Sequence, residues 1–491
     1  MESILLLVGY IAVTCLIAMS TARANKTSRE FFVGSAGLGV AFVVSMIFSE
    51  TIGGTGTVGQ SADAMASIGM GAVWSTWGMA LGCILFVLVF GKFYKVLGAT
   101  RGVASVAGAY NILFGPKMKT LMLIVVAFVY ACLFALQPVA AAALLAPMFG
   151  LNQGLVYFAV GGLFIVVACL GGLKGLAKMN VVHAFVMWVG LLVVALLAVS
   201  ACGGPTVLAG SVPEGYLNPF YPGLITVGTW CVGAVLSQMS SAIMATVTLS
   251  TDTYRSMKKG TLIAGVLLLV FALFPAIIGV CGLVLSPDVA PASAIYAVSS
   301  GLNPWIGALC SVAIIAAIFS TAPSLLLIVG TTIAQDLYRG TIRTNASDAN
   351  TMRVARLSMI VVGVVSLIAA AETSSLFAQL MNIFQVRSIA SVVLIVALVW
   401  PRVSERAAFW SVTLGVGVAV IWWFLANPFG IQPLIPSLIV GSVVLVVATA
   451  LSCDKVSAGY RRYLVCQQEY AAMDSTDITI NETRIQKLLG E

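Results

Sequence analysis

Long apolar stretches alternate with short polar joints along the whole chain. Thirteen of them approach or exceed the about 20 apolar residues that a membrane-crossing helix needs. They lie near 3–20, 37–66, 70–91, 120–148, 152–171, 179–200, 223–249, 261–285, 303–333, 355–371, 375–400, 407–426 and 432–452. The pattern predicts an all-α polytopic membrane protein over residues 1–452 and a polar tail over 453–491. Two stretches are interrupted near their middles. SETIGGTGTVG (49–59) puts four glycines beside Glu50 in the second stretch, with Asp63 just beyond, and SQMSS (237–241) interrupts the seventh. Backbone freed at membrane depth persists only inside the protein or around a cavity. Transporters built from inverted repeats hold ions and substrates at such breaks. The breaks fall five spans apart, so spans two to six and seven to eleven are expected to be inverted halves flanked by spans one, twelve and thirteen.

Charge gives the orientation. With 60% hydrophobic and 9% charged residues, the chain falls far below the about 25% charge of soluble domains. The net charge of +8 comes from lysines and arginines that all fall on alternate loops and the tail, with one exception, Arg387. Basic loops mark the cytoplasmic side. This predicts an extracytoplasmic N-terminus, a cytoplasmic tail and residence in the plasma (inner) membrane, with lipid rather than nucleic acid as the charged partner. The first stretch lacks a basic lead and a small-residue cleavage site, so it reads as a retained span. The ten cysteines show no metal-type spacing and read as small packing residues. With one histidine, His183, and no nucleophile–base pairing, enzyme chemistry is not expected. The tail is too short for an output domain, which disfavours a non-transporting sensor.

Glu50, Asp63 and Arg387 are the charges at membrane depth, where charged groups face a cavity or a partner. Arg387 stands 15 residues before Arg402, about 22 Å up its helix, and is expected to pair with Glu50 or Asp63. Glu50 reads either as a protonated acid fixing the break or as a carboxylate that attracts sodium or binds solute.

AAIFSTAPS (316–324) leading to IAQDLYRG resembles the ninth span of the sodium:solute symporter family, with its AAxxST core and D-x-Y-[KR] exit. GGLKGLAKMNVVH (171–183), PAIIG (275–279) and TSREFFVGSAGLG (27–39) resemble further segments of that family. The broken span resembles most the choline-transporter-like branch. The likeness implies a LeuT-like 5+5 fold and a symporter that couples Na+ entry to uptake of a small organic solute. It also implies a sodium site built from the carbonyls of Ser49 and Ile52, the carbonyl of Ala317, and the hydroxyls of Ser320 and Thr321. Without the likeness, those two hydroxyls read as helix-to-helix hydrogen bonding. Glu50, Thr51, Asp63, Gln137 and Gln238 are the candidate solute-binding residues, the glutamines reading equally as links between helices. Where family members with a second sodium site carry an Asp and a further Ser, this chain has Asn180 and Pro323, so one Na+ per cycle is expected. His183 reads as a helix histidine bonded to a neighbour, ahead of a role in proton coupling.

Overall fold

The computed structural model describes residues 2–22, 39–370, 376–452 and 455–473, with isolated positions 478, 480, 485, 486 and 488. The side chains of residues 2–5, 18–22, Glu50 and Lys174 fall outside that description, as does most of the 27–39 segment. The described residues are mostly helical, with no strand among them. The principal helices are α1 (Glu2–Ala22), α2 (Val40–Ile52), α3 (Trp74–Val89), α4 (Gly91–Arg101), α5 (Val106–Phe149), α6 (Gln153–Ala201), α7 (Leu224–Met239) and α8 (Ala242–Ser250). They continue with α9 (Tyr254–Phe271), α10 (Leu273–Leu285), α11 (Pro304–Thr331), α12 (Asp348–Ala369), α13 (Leu376–Val399), α14 (Glu405–Phe424), α15 (Leu434–Ala450) and α16 (Ala458–Ala471).

Among the described residues nine helical runs are long and apolar enough to cross a membrane, and the bent pair α7–α8 makes a tenth. Three shorter apolar helices cover Leu6–Ile17, Val40–Ser49 and Leu434–Ala450. The runs sort into inner and outer ones. The most apolar window of the Pro304–Ile342 run, which contains α11, is 89% buried, against 28% in α12 and 33% in α14. Val364, Val365, Ile368, Ile421, Phe424 and Val443 are therefore exposed. Such apolar faces would be a liability in water and are what a bilayer solvates.

Some borders differ from the apolar pattern. The second half of the broken stretch continues into α3 through residues 55–73, and its direction changes at Gly69 (φ +51). α5 begins at Val106 rather than near 120, because it includes an N-terminal segment that turns at Gly115 (φ +77) before Pro116. The tail also holds more order than its composition suggests. α16 buries Tyr460, Tyr463, Leu464 and Tyr470 and packs against α4 and α5.

Candidate functional site

The first break follows from two adjacent glycines. α2 stops at Ile52 because Gly53 takes φ +53, a conformation that disfavours side chains. A Cβ on Gly54 would come within 2.4 Å of Ala140 Cβ on α5, so the second glycine lets the two backbones touch. Gln137, on the same face of α5, accepts the Gly54 N–H at 2.7 Å through Oε1 and donates to Leu133 O through Nε2. Ending a helix releases its last four carbonyls, here those of residues 49–52.

The first released carbonyl has partners at once. Ser320 Oγ lies 2.8 Å from Ser49 O and 2.7 Å from Ala317 O. Thr321 Oγ1 lies 3.0 Å from each of the same two carbonyls, and the two hydroxyl oxygens are 3.4 Å apart. These four short hydroxyl–carbonyl contacts are served by only two hydroxyl protons, so lone pairs outnumber protons in a cluster where every residue is buried. A hard monovalent cation suits such a cluster, because it satisfies several oxygens together and needs no fixed carboxylate. Ser49 Oγ in turn donates to Asn180 O, tying the cluster to α6. Ile52 is buried and ends the helix, but neither hydroxyl donates to it.

The second break is built differently. α7 ends at Met239 and α8 restarts after Ser241, bent by 40°. The first amides of α8 would be left without acceptors. Tyr130 of α5 supplies one, its hydroxyl accepting from Ala242 N at 2.8 Å and Ile243 N at 3.2 Å while lying 3.1 Å from Ser241 Oγ. Tyr130 and Gln137 are seven residues apart, about two turns, so one face of α5 holds both breaks. Sequence reasoning missed Tyr130, whose only signal is its spacing from Gln137.

A cavity of about 30 Å³ lies between the breaks. Thr51, Ile52, Gln137, Gln238, Thr321 and Arg387 all line it, so it gathers most of the sequence-predicted residues. Arg387 is 3% exposed. Its Nε donates to Ser237 Oγ at 2.7 Å, and its guanidinium lies 5.4 Å from the centre of the Tyr130 ring. Gln238 Nε2 reaches Cys83 Sγ at 3.3 Å.

Asp63 is placed elsewhere. Its carboxylate accepts the backbone N–H of Phe377, ten residues before Arg387 on α13 and about 15 Å away along the helix. The expected Asp63–Arg387 pair is therefore replaced by a cap on the start of α13. The side chain of Glu50, the other expected partner, lies outside the described residues. His183 is bonded through Nδ1 to the Tyr10 hydroxyl of α1. Among the described residues no group of three or more His, Cys, Asp or Glu side chains could hold a metal ion.

With this geometry in place, comparison with known proteins is informative. The model of the sodium:solute symporter family matches residues 31–415. The osmoregulated proline transporter OpuE of Bacillus subtilis is 21% identical over 489 residues, covering 95% of this chain and 98% of that protein. The sodium/pantothenate symporter of Escherichia coli is 25% identical, covering 93% and 100%. A solved Na+-coupled sialic acid symporter in its substrate-bound, outward-open state superposes with a TM-score of 0.77 at 16% identity, covering 92% of this chain and 98% of that one.

Proposed function

Because the chain belongs to the sodium:solute symporter family, whose members are transporters rather than enzymes, we propose that it imports a small organic solute by coupling it to the inward movement of sodium. The observation that carries this reading is the convergence of Ser49 O, Ala317 O, Ser320 Oγ and Thr321 Oγ1 between a broken helix and a buried one. In this reading Na+ takes up the lone pairs of those four oxygens, both hydroxyls keeping their protons and turning them off the two carbonyls, and Ile52 O completes the set. The cluster joins α2 to α11, so occupancy by Na+ stabilises one arrangement of the breaks and solute binds to that arrangement. Alternating access then proceeds around the cavity at Gln137, Gln238 and Thr51.

One Na+ per cycle is part of the proposal. It is supported by Asn180, whose backbone carbonyl is taken by Ser49, and by Pro323, which has no hydroxyl. Thirteen spans with an outside N-terminus are also proposed. The three short apolar helices added to the ten longer runs support that count, and the loop charges support the orientation. Proline and pantothenate, which relatives carry by name, are the first solutes to test.

The test is uptake into proteoliposomes with and without an inward sodium gradient. Ser320→Ala and Thr321→Ala, singly and together, are expected to lower sodium-driven uptake at least tenfold and to raise the sodium concentration giving half-maximal rate. Undiminished uptake without sodium, or sodium dependence unchanged in the double variant, contradicts the coupling.

A further inference from the structure

The cavity between the breaks holds a spare donor, and two of its acceptors are already engaged. Arg387 presents five N–H donors. Nε is spent on Ser237 Oγ, and Nη1 is buried with no hydrogen-bond partner among the described residues. No carboxylate of a described residue forms an ion pair with it. The Tyr130 ring holds the guanidinium by its face, while the Tyr130 hydroxyl is already committed to Ala242 N and Ile243 N. Gln137 Oε1 is likewise committed to Gly54 N. A buried guanidinium with an unanswered N–H is costly unless something with lone pairs and negative charge completes it.

We propose that Arg387 is the anchor for a carboxylate on the transported solute, received in the cavity with Tyr130 beneath and Ser241 beside it. The inference rests on the symporter reading and deepens it by naming the solute class. Planar carboxylates match the guanidinium fork and take two parallel hydrogen bonds. At about 30 Å³ the cavity has room for little beyond the head of the solute, and Leu380 and Phe384 supply its apolar lining. Thr321 lines the same cavity, so the carboxylate and the sodium ion lie on either side of one side chain. Each charge favours binding of the other, and the coupling is reciprocal. A zwitterionic solute moving with one Na+ carries one net positive charge per cycle, and a simple monoanion carries none.

The test pairs molecules that differ at the carboxylate: L-proline with L-prolinamide, pantothenate with panthenol, and N-acetylneuraminate with its methyl ester. Binding to the purified full chain is followed by thermal shift and calorimetry, with and without sodium. At least one carboxylate is expected to bind in a sodium-dependent way, with its uncharged partner about 100-fold weaker. Arg387→Gln is expected to abolish that discrimination. Arg387→Lys, which keeps the charge and loses the fork, is expected to weaken the carboxylate about tenfold. The shift produced by sodium alone reports on Ser320 and Thr321. It separates a misfolded variant from an informative one, and its absence in the parent protein counts against the symporter reading rather than this one. A neutral partner binding as tightly as its carboxylate, carboxylate binding unchanged in Arg387→Gln, or no binding by any of the three carboxylates overturns the proposal.

Discussion

Gly54 shows how much rests on one missing methyl group. Its backbone is ordinary helix (φ −67), so alanine there brings no torsional strain, and any effect is steric. The new Cβ would sit 2.4 Å from Ala140 Cβ and 3.0 Å from Ile318 Cγ1. Gly54→Ala is expected to cost about 1–3 kcal/mol, read as a lower thermal midpoint with a matching loss of uptake. Gly417→Ala is the control, since nothing lies within 4 Å of its added Cβ, and it should leave both unchanged. The glycine cluster was legible in the sequence because polar, flexible residues stand out in an apolar run. So were Ser320 and Thr321, which the family likeness singled out and which lie on the released carbonyl of Ser49. Asp63 was legible as a charge within an apolar run but not in its partner. That choice depends on the side-to-side placement of α13, which no local pattern encodes.

At the scale of elements, α5 acts as a post to which both broken spans are tied. The Gln137 carboxamide holds the first break and the Tyr130 hydroxyl the second. The apolar pattern located α5 but said nothing of this role, because a tyrosine in a membrane helix is unremarkable until its partners are known. Tyr130→Phe keeps the ring under Arg387 and removes only the hydroxyl. It leaves two buried amides without their acceptor, at about 1–3 kcal/mol for each. The expected outcome is a lower thermal midpoint and slower uptake, with the sodium concentration for half-maximal rate little changed, because Ser320 and Thr321 are untouched. A change confined to sodium affinity would show that α5 does not hold the second break. The turn at Gly115 was missed for a related reason: hydropathy averages over a window, and a single positive φ does not alter it, whereas Gly69 falls in the gap between the second and third apolar stretches.

The whole molecule is a buried column, α11, inside a shell of helices with apolar outer faces, and the span pattern anticipates this because lipid imposes length and polarity on every crossing element. The tail has no long apolar stretch, and the pattern accordingly said little about it. α16 docks by shape: a Cβ at Gly459 would lie 1.6 Å from Leu113 O, and Tyr460, Tyr463 and Leu464 are buried beside it. Two ion pairs, Arg101–Glu469 and Arg462–Glu405, each at 2.6 Å, surround the contact, but their side chains are 38–45% exposed, and such pairs contribute about 0–1 kcal/mol. Apolar packing therefore carries the docking, and salt should not release it. Cys466, fully buried, gives the readout in a version of the protein whose other cysteines are replaced. Maleimide labelling of Cys466 is expected to stay slow at 1 M salt, about 3 Å in Debye length, and to become fast in Gly459→Ala. Fast labelling of the parent at high salt would instead assign the docking to charge. Because α4 and α5 lie at the ends of spans that carry the cavity, undocking α16 should also lower the thermal midpoint without changing which solute binds.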